Sequence, residues 1–164
     1  MLHPAAAHFA VVLPILSLVL GLAYIIKPSE LMSKISTRFM VFATIFLIIA
    51  FFTGKEDGTE VYMSLSSEGK ALLLDHKSFG LYLASAMGIT TLIKMFGCFK
   101  NNFKVEIVAV ALMALVAGAT LFQGKMGGEL TYTHGANIAN HADGMQCLAD
   151  EAEDEEDDED EDEE

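Results

Sequence analysis

Pro4–Ile26 reads PAAAHFAVVLPILSLVLGLAYII, 23 residues with no acid, lysine or arginine among them. A bilayer core of roughly 30 Å needs about 20 apolar residues in helical form, so this stretch is long enough to cross a membrane. Three more apolar runs follow, at about 35–53, 78–99 and 105–123. Four runs of this length in 164 residues, 52% of them hydrophobic, predict an all-α fold, a bundle of four transmembrane helices. Pro14 lies inside the first run, where a membrane bundle tolerates it if neighbouring helices satisfy the freed carbonyl. Small residues recur in the third and fourth runs, among them Gly80, Ala84, Gly88, Ala114, Gly118 and Ala119. They permit close helix packing, and homo-oligomers as well.

The start, Met-Leu-His-Pro, lacks the basic segment of a signal peptide, so the first run is expected to be a retained span. Lys27, Lys34 and Arg38 flank the first link, and Lys94, Lys100 and Lys104 the third, with Lys94 expected to snorkel toward the membrane surface. Lys55, Lys70, Lys77 and Lys125 lie on the other side. Six cations against four orient the chain in a cytoplasmic (bacterial inner) membrane with both termini outside. The second link, about 54–77, carries apolar residues within 60–74 and is expected to hold a short helix lying on the outer face of the bundle. The fourth helix has the sequence to continue toward Tyr132.

Charge divides the chain into two parts. The net charge is -13, but 14 of the 15 residues from Asp150 to Glu164 are acidic, and the rest of the chain sums to +1. The expected organisation is a membrane domain over residues 1–138, then a linker and disordered polyacidic tail over 139–164. Such a tail repels nucleic acid and would steer a basic soluble partner such as a small cytochrome, bind divalent cations loosely, or simply solvate the assembly. Cys98 and Cys147 fall on opposite sides of the membrane, which excludes a disulfide between them, and no CxxCH attaches a c-type haem. No GxSxG, P-loop or HExxH is present.

The five histidines, His3, His8, His76, His134 and His141, all fall on the outer side of this topology. Neutral imidazole is the commonest protein ligand for metals and haem. Two histidines on different helices at similar depth can ligate a b-type haem, and His8 and His76 are the expected axial pair. His3 and His134 are then alternate ligands or donors to them. His3 and His8 lie about 140° apart around a helix and do not share a face. The same four histidines could instead bind an iron, copper or zinc ion. Or they could serve only to brace the outer cap of a non-catalytic membrane subunit that recruits a partner through its tail. His141, Met145 and Cys147 form a second candidate site of soft ligands. Glu56, Asp57, Glu60, Glu68, Asp75 and Glu129 could add carboxylates, or be solvated.

These residues fall into four motifs: His3-Pro4-Ala-Ala-Ala-His8-Phe9, Thr53-Gly54 followed by acids, His76-Lys-Ser-Phe-Gly80, and Gly127-Gly128-Glu-Leu-Thr-Tyr132-Thr-His134-Gly135. Together, over about residues 1–138, they resemble the domain-of-unknown-function 2231 family of small bacterial membrane proteins. Ala10 departs from the pattern, since members often carry proline after His-Phe. The resemblance implies a four-span bundle with His3, His8, His76 and His134 at motif positions. It also implies a redox setting, because members occur beside or fused to c-type cytochrome modules. The leading expectation is thus a haem b protein passing electrons at the outer face of the membrane.

Overall fold

A computed structural model describes residues 3–136. The linker, the tail and the candidate site at His141, Met145 and Cys147 lie outside these residues. Four helices run up and down: α1 (His3–Ile26), α2 (Glu30–Val61), α3 (Ser67–Phe99) and α4 (Phe103–Tyr132). A single 3-10 turn (Tyr62–Ser64) follows α2. Helix α1 packs on α2 and α4, and α3 completes the bundle against α2 and α4.

Local chemistry sets the helix ends. The Ser29 hydroxyl accepts from the Met32 N–H at 3.2 Å, Ser66 from Gly69 at 3.2 Å, and Asn102 from Val105 at 3.3 Å. Each satisfies a donor that the first turn of a helix leaves free. The α3–α4 link reverses through Asn101 at φ 49°, a left-handed conformation that asparagine tolerates. At the end of α4, Gly135 takes φ 69° and the Ala136 N–H bonds the Leu130 carbonyl at 2.9 Å. That arrangement terminates the helix and explains the glycine after His134.

All four helices are long and apolar enough to cross a membrane. Their outward faces carry large apolar side chains, such as Phe9, Val12, Val19, Ile89, Leu92 and Leu115, each more than half exposed. Water would not tolerate this surface, whereas lipid is its natural solvent. The interior is built of small residues and methionines: Ala6 and Ala10 on α1, Ala43 and Met40 on α2, Met87 on α3, Met113 and Ala117 on α4. Small side chains bring the backbones together, and Met fills the irregular gaps.

Two expectations are corrected. The second link holds no separate helix lying across the bundle. Helix α2 continues eight residues past Thr53, and α3 begins eleven residues before Ser78. The pair rises beyond the expected spans as an antiparallel extension, joined by α4, which does continue to Tyr132. Its reason is a second apolar core of Leu65, Leu130 and Ala136, flanked by Val61, Leu72 and Leu73. The second correction is Lys94. It does not snorkel but is wholly buried, 0% exposed, and paired with Glu106. Lys94 therefore leaves the count of surface cations on its side, which becomes five against four.

Candidate functional site

Beside scattered buried Ser and Thr hydroxyls, the larger polar side chains enter the bundle in two layers, and each layer takes groups from all four helices. The ion-pair end, near the α1–α2 and α3–α4 links, has Tyr24, Ser33, Lys94 and Glu106. The Lys94 ammonium donates to Glu106 Oε2, as does the Ser33 hydroxyl at 2.5 Å, and Tyr24 donates to Glu106 Oε1 at 2.7 Å. The ammonium also lies 4.4 Å from the centre of the Tyr24 ring. Gly97 makes the approach possible, since a Cβ there would stand 2.7 Å from Glu106 Cγ. Both carboxylate oxygens and the ammonium are served, so this layer is closed. The sequence reading passed over Glu106. The available signal was a Lys and a Glu, each six residues from Lys100, inside the two apolar runs that flank a tight link.

The histidine end is built differently. His3 rests against Gly54, where a Cβ would lie 2.7 Å from its Cε1, and His76 rests against Gly127 at 3.2 Å. His3 Nδ1 is 3.4 Å from Thr53 Oγ1, whose only proton goes to the Ile49 carbonyl at 2.9 Å. Thr53 must then accept, which puts the ring proton of His3 on Nδ1 and leaves Nε2 as a bare lone pair. His3 and His76 lie within electrostatic reach of one another.

Gln123 of α4 reaches His76 through the space Gly80 leaves, where a Cβ would stand 3.1 Å from its amide nitrogen. Its Nε2 donates to the His76 carbonyl at 2.9 Å and lies 3.2 Å from the ring Nε2. Two buried atoms here have no partner: His76 Nδ1 and Gln123 Oε1. A third, Asp57 Oδ2, sits about one turn up α2 from Thr53 and Gly54. Gln123 was read from the sequence only as the end of a span. A polar residue one turn before Gly127 on an otherwise apolar run was the clue.

The other expected ligands stand apart. His8 is exposed on α1, and its Nδ1–H donates to the Pro4 carbonyl at 2.6 Å, so its bare Nε2 faces outward. It does not share a face with His3, as their spacing implies. His134 packs on Gly69, two helical turns up α3 from His76, in the cap beyond the layer. As the side chains stand, among the described residues no three His, Cys, Asp or Glu groups converge to hold an ion.

A family of predicted membrane proteins, DUF2231, matches residues 1–140, which include all four helices. The chain belongs to the DUF2231 family. No curated protein and no solved structure matches it. In this DUF2231 chain two motif histidines lie on motif glycines of other helices, His3 on Gly54 and His76 on Gly127, while His134, just past the end of α4, lies on Gly69 of α3. Each glycine supplies the surface on which an imidazole lies.

Proposed function

We propose that this protein binds a transition metal at the outer face of the cytoplasmic membrane, through the imidazoles of His3 and His76, with side-chain rotation bringing in Asp57 as the carboxylate donor, since the three do not converge as they stand. The observation that carries this reading is the clustering of unmet polar atoms. Of the four buried side-chain atoms without a partner among the described residues, three (Asp57 Oδ2, His76 Nδ1, Gln123 Oε1) lie at the histidine end. Buried polar groups in native proteins are nearly always paired, so such a cluster marks a place where a further group belongs. Two imidazoles and a carboxylate suit Zn(II) or Fe(II) better than Cu(I). The orientation rests on the cations, five at the ion-pair end against four at the histidine end.

Haem b is a second reading with one observation in its favour. His8 has its Nδ1–H fixed on a carbonyl and its Nε2 free, the arrangement that prepares an axial ligand. A haem on His8 would sit on the outer surface of α1 at the membrane boundary. His76, enclosed against Gly127 and Gln123, would not be its second ligand without a movement of α1. With iron or copper in either site the protein would exchange electrons, and the polyacidic tail would attract a basic soluble donor or acceptor.

Elemental analysis and oxidised-minus-reduced absorption spectra of the full chain in detergent decide between these. Stoichiometric zinc or iron that disappears in His3→Ala and His76→Ala supports the metal site. A Soret band lost in His8→Ala replaces it with haem. Protein carrying neither, after growth with both supplied, overturns both.

A further inference from the structure

Helix α2 enters the membrane with three charged residues at four-residue spacing, Glu30, Lys34 and Arg38, all of them exposed. Four residues of α-helix rise about 6 Å, so the three side chains stand one above another on one side of the helix. The acid is outermost and the arginine deepest. Arg38 lies inside the apolar run at 35–53, and among the described residues no carboxylate pairs with it. A cation placed there has to reach for phosphate oxygens at the membrane boundary. Lys34 bonds Glu30 at 2.5 Å. Beside this ladder runs a groove of about 400 Å³, lined by Glu30, Lys34 and Thr37 of α2 and by Met95, Cys98 and Phe99 of α3. Gly88 lies two turns along α3 from Met95 on the same face, and a Cβ there would meet nothing within 4 Å. Open space beside α3 therefore continues from the groove toward the middle of the membrane.

We propose that this groove binds a phospholipid, phosphatidylethanolamine, with its phosphate between Lys34 and Arg38, its ammonium on Glu30 and an acyl chain along Met95 and Gly88. The lipid head carries both charges in the order the ladder requires, the ammonium toward water and the phosphate one step deeper. The Arg38 guanidinium can take two phosphate oxygens at once, and Lys34 another. Glu30 has two oxygens, so it accepts from the lipid N–H without giving up Lys34. Other heads fit less well. Phosphatidylglycerol brings the phosphate but sets hydroxyls and an uncompensated negative charge beside Glu30. Phosphatidylcholine has the right charges, but its trimethylated nitrogen has no N–H to donate. A soluble phosphoethanolamine lacks the chain that the apolar part of the groove would cover. The site lies at the opposite end of the bundle from the histidines and does not depend on what they bind.

The test is native mass spectrometry of the full chain in detergent, titrated with phosphatidylethanolamine, phosphatidylcholine and phosphatidylglycerol of matched acyl chains. Wild type should retain phosphatidylethanolamine over each of the others by about two- to fivefold, the size expected of one exposed ion pair. Glu30→Gln should abolish that preference, and Arg38→Ala should weaken all three lipids together. Both positions are exposed, so the fold should survive either change. Cys98 lines the groove and reports its occupancy. In a Cys147→Ser background, phosphatidylethanolamine should slow alkylation of Cys98 by a maleimide, and soluble phosphoethanolamine should not. Equal retention of the three lipids by wild type, or a preference that persists in Glu30→Gln, overturns the proposal. A preference for phosphatidylglycerol replaces it with a site for anionic lipid, and protection of Cys98 by phosphoethanolamine replaces it with a site for a soluble phosphate.

Discussion

The two polar layers differ in one respect that decides how each is read. Both draw on α1, α2, α3 and α4, and both lie in the bundle interior. At the ion-pair end, Glu106 accepts three hydrogen bonds and Lys94 lies over an aromatic face, with nothing left to satisfy. At the histidine end, a ring nitrogen, an amide oxygen and a carboxylate oxygen are enclosed without partners. Between them stand Met40, Met87 and Met113, all fully buried, together with Thr44 and Thr91, whose hydroxyls bond each other at 2.8 Å. A satisfied buried network specifies how helices pack. An unsatisfied one stores a cost of about 1–3 kcal/mol per group, which a ligand would remove. Ionisable groups within a membrane domain invite a functional reading by default, and the ion pair shows that satisfaction of the groups has to be weighed first.

The largest effect should come from breaking the closed layer. Glu106→Gln leaves the Lys94 ammonium buried without its counter-charge, which costs about 3–5 kcal/mol. Denaturation in detergent should show it as a large fall in stability. Joint replacement by Lys94→Met and Glu106→Leu should recover most of the loss, because apolar residues of similar volume commonly match a buried pair. A double variant as unstable as the single one would mean that the pair is more than a packing device.

A smaller effect separates the layers through their glycines. Gly97→Ala and Gly54→Ala each place a Cβ 2.7 Å from a neighbour. At Gly97 the neighbours are Glu106 Cγ and, at 3.1 Å, the Glu106 backbone nitrogen, neither of which can move freely. The overpacking should cost about 1–3 kcal/mol. At Gly54 the neighbour is the ring of His3, at the first turn of α1, and it can swing aside. Stability should change little there while zinc binding falls, since the ring is displaced from Thr53. Equal stability losses at the two positions would erase the distinction between a closed layer and an open one.

Much of this architecture was legible in the sequence, and the rest was hidden for definable reasons. Apolar run length fixes how deep a residue lies in a membrane, so the four spans and the common outer side of the histidines could be read directly, although His8 rather than His3 was paired with His76. Azimuth is less secure. The spacing already separates His3 from His8, yet it could not say which of them faces the interior, because α1 is apolar on every side. Lys94 was obscured by habit, since a lysine near a span end is expected to reach for water, and its partner Glu106 was passed over with it. Gln123 carries no charge and belongs to no ligand pattern, so only the glycines at positions 80 and 127 betray that something occupies the space beside them. The cap was missed because its apolar residues, Val61, Leu65 and Leu72, need the extension of α4 to make a core.

The smallest stability effect is also the most telling. His76→Leu removes the ring and, with it, a buried ring nitrogen, Nδ1, that has no partner. Gln123 keeps its best hydrogen bond, because its acceptor at 2.9 Å is the backbone carbonyl of residue 76 and not the side chain. The loss of ring packing against Gly127 and the relief of an unmet polar atom nearly cancel, so metal-free protein should be within about 1 kcal/mol of wild type, or slightly more stable. Zinc should then raise the unfolding temperature of the wild type and leave that of His76→Leu unchanged, since a ligand stabilises only the fold that binds it. A loss as large as that of Glu106→Gln would show His76 to be structural, and the two ends of the bundle would no longer differ in kind.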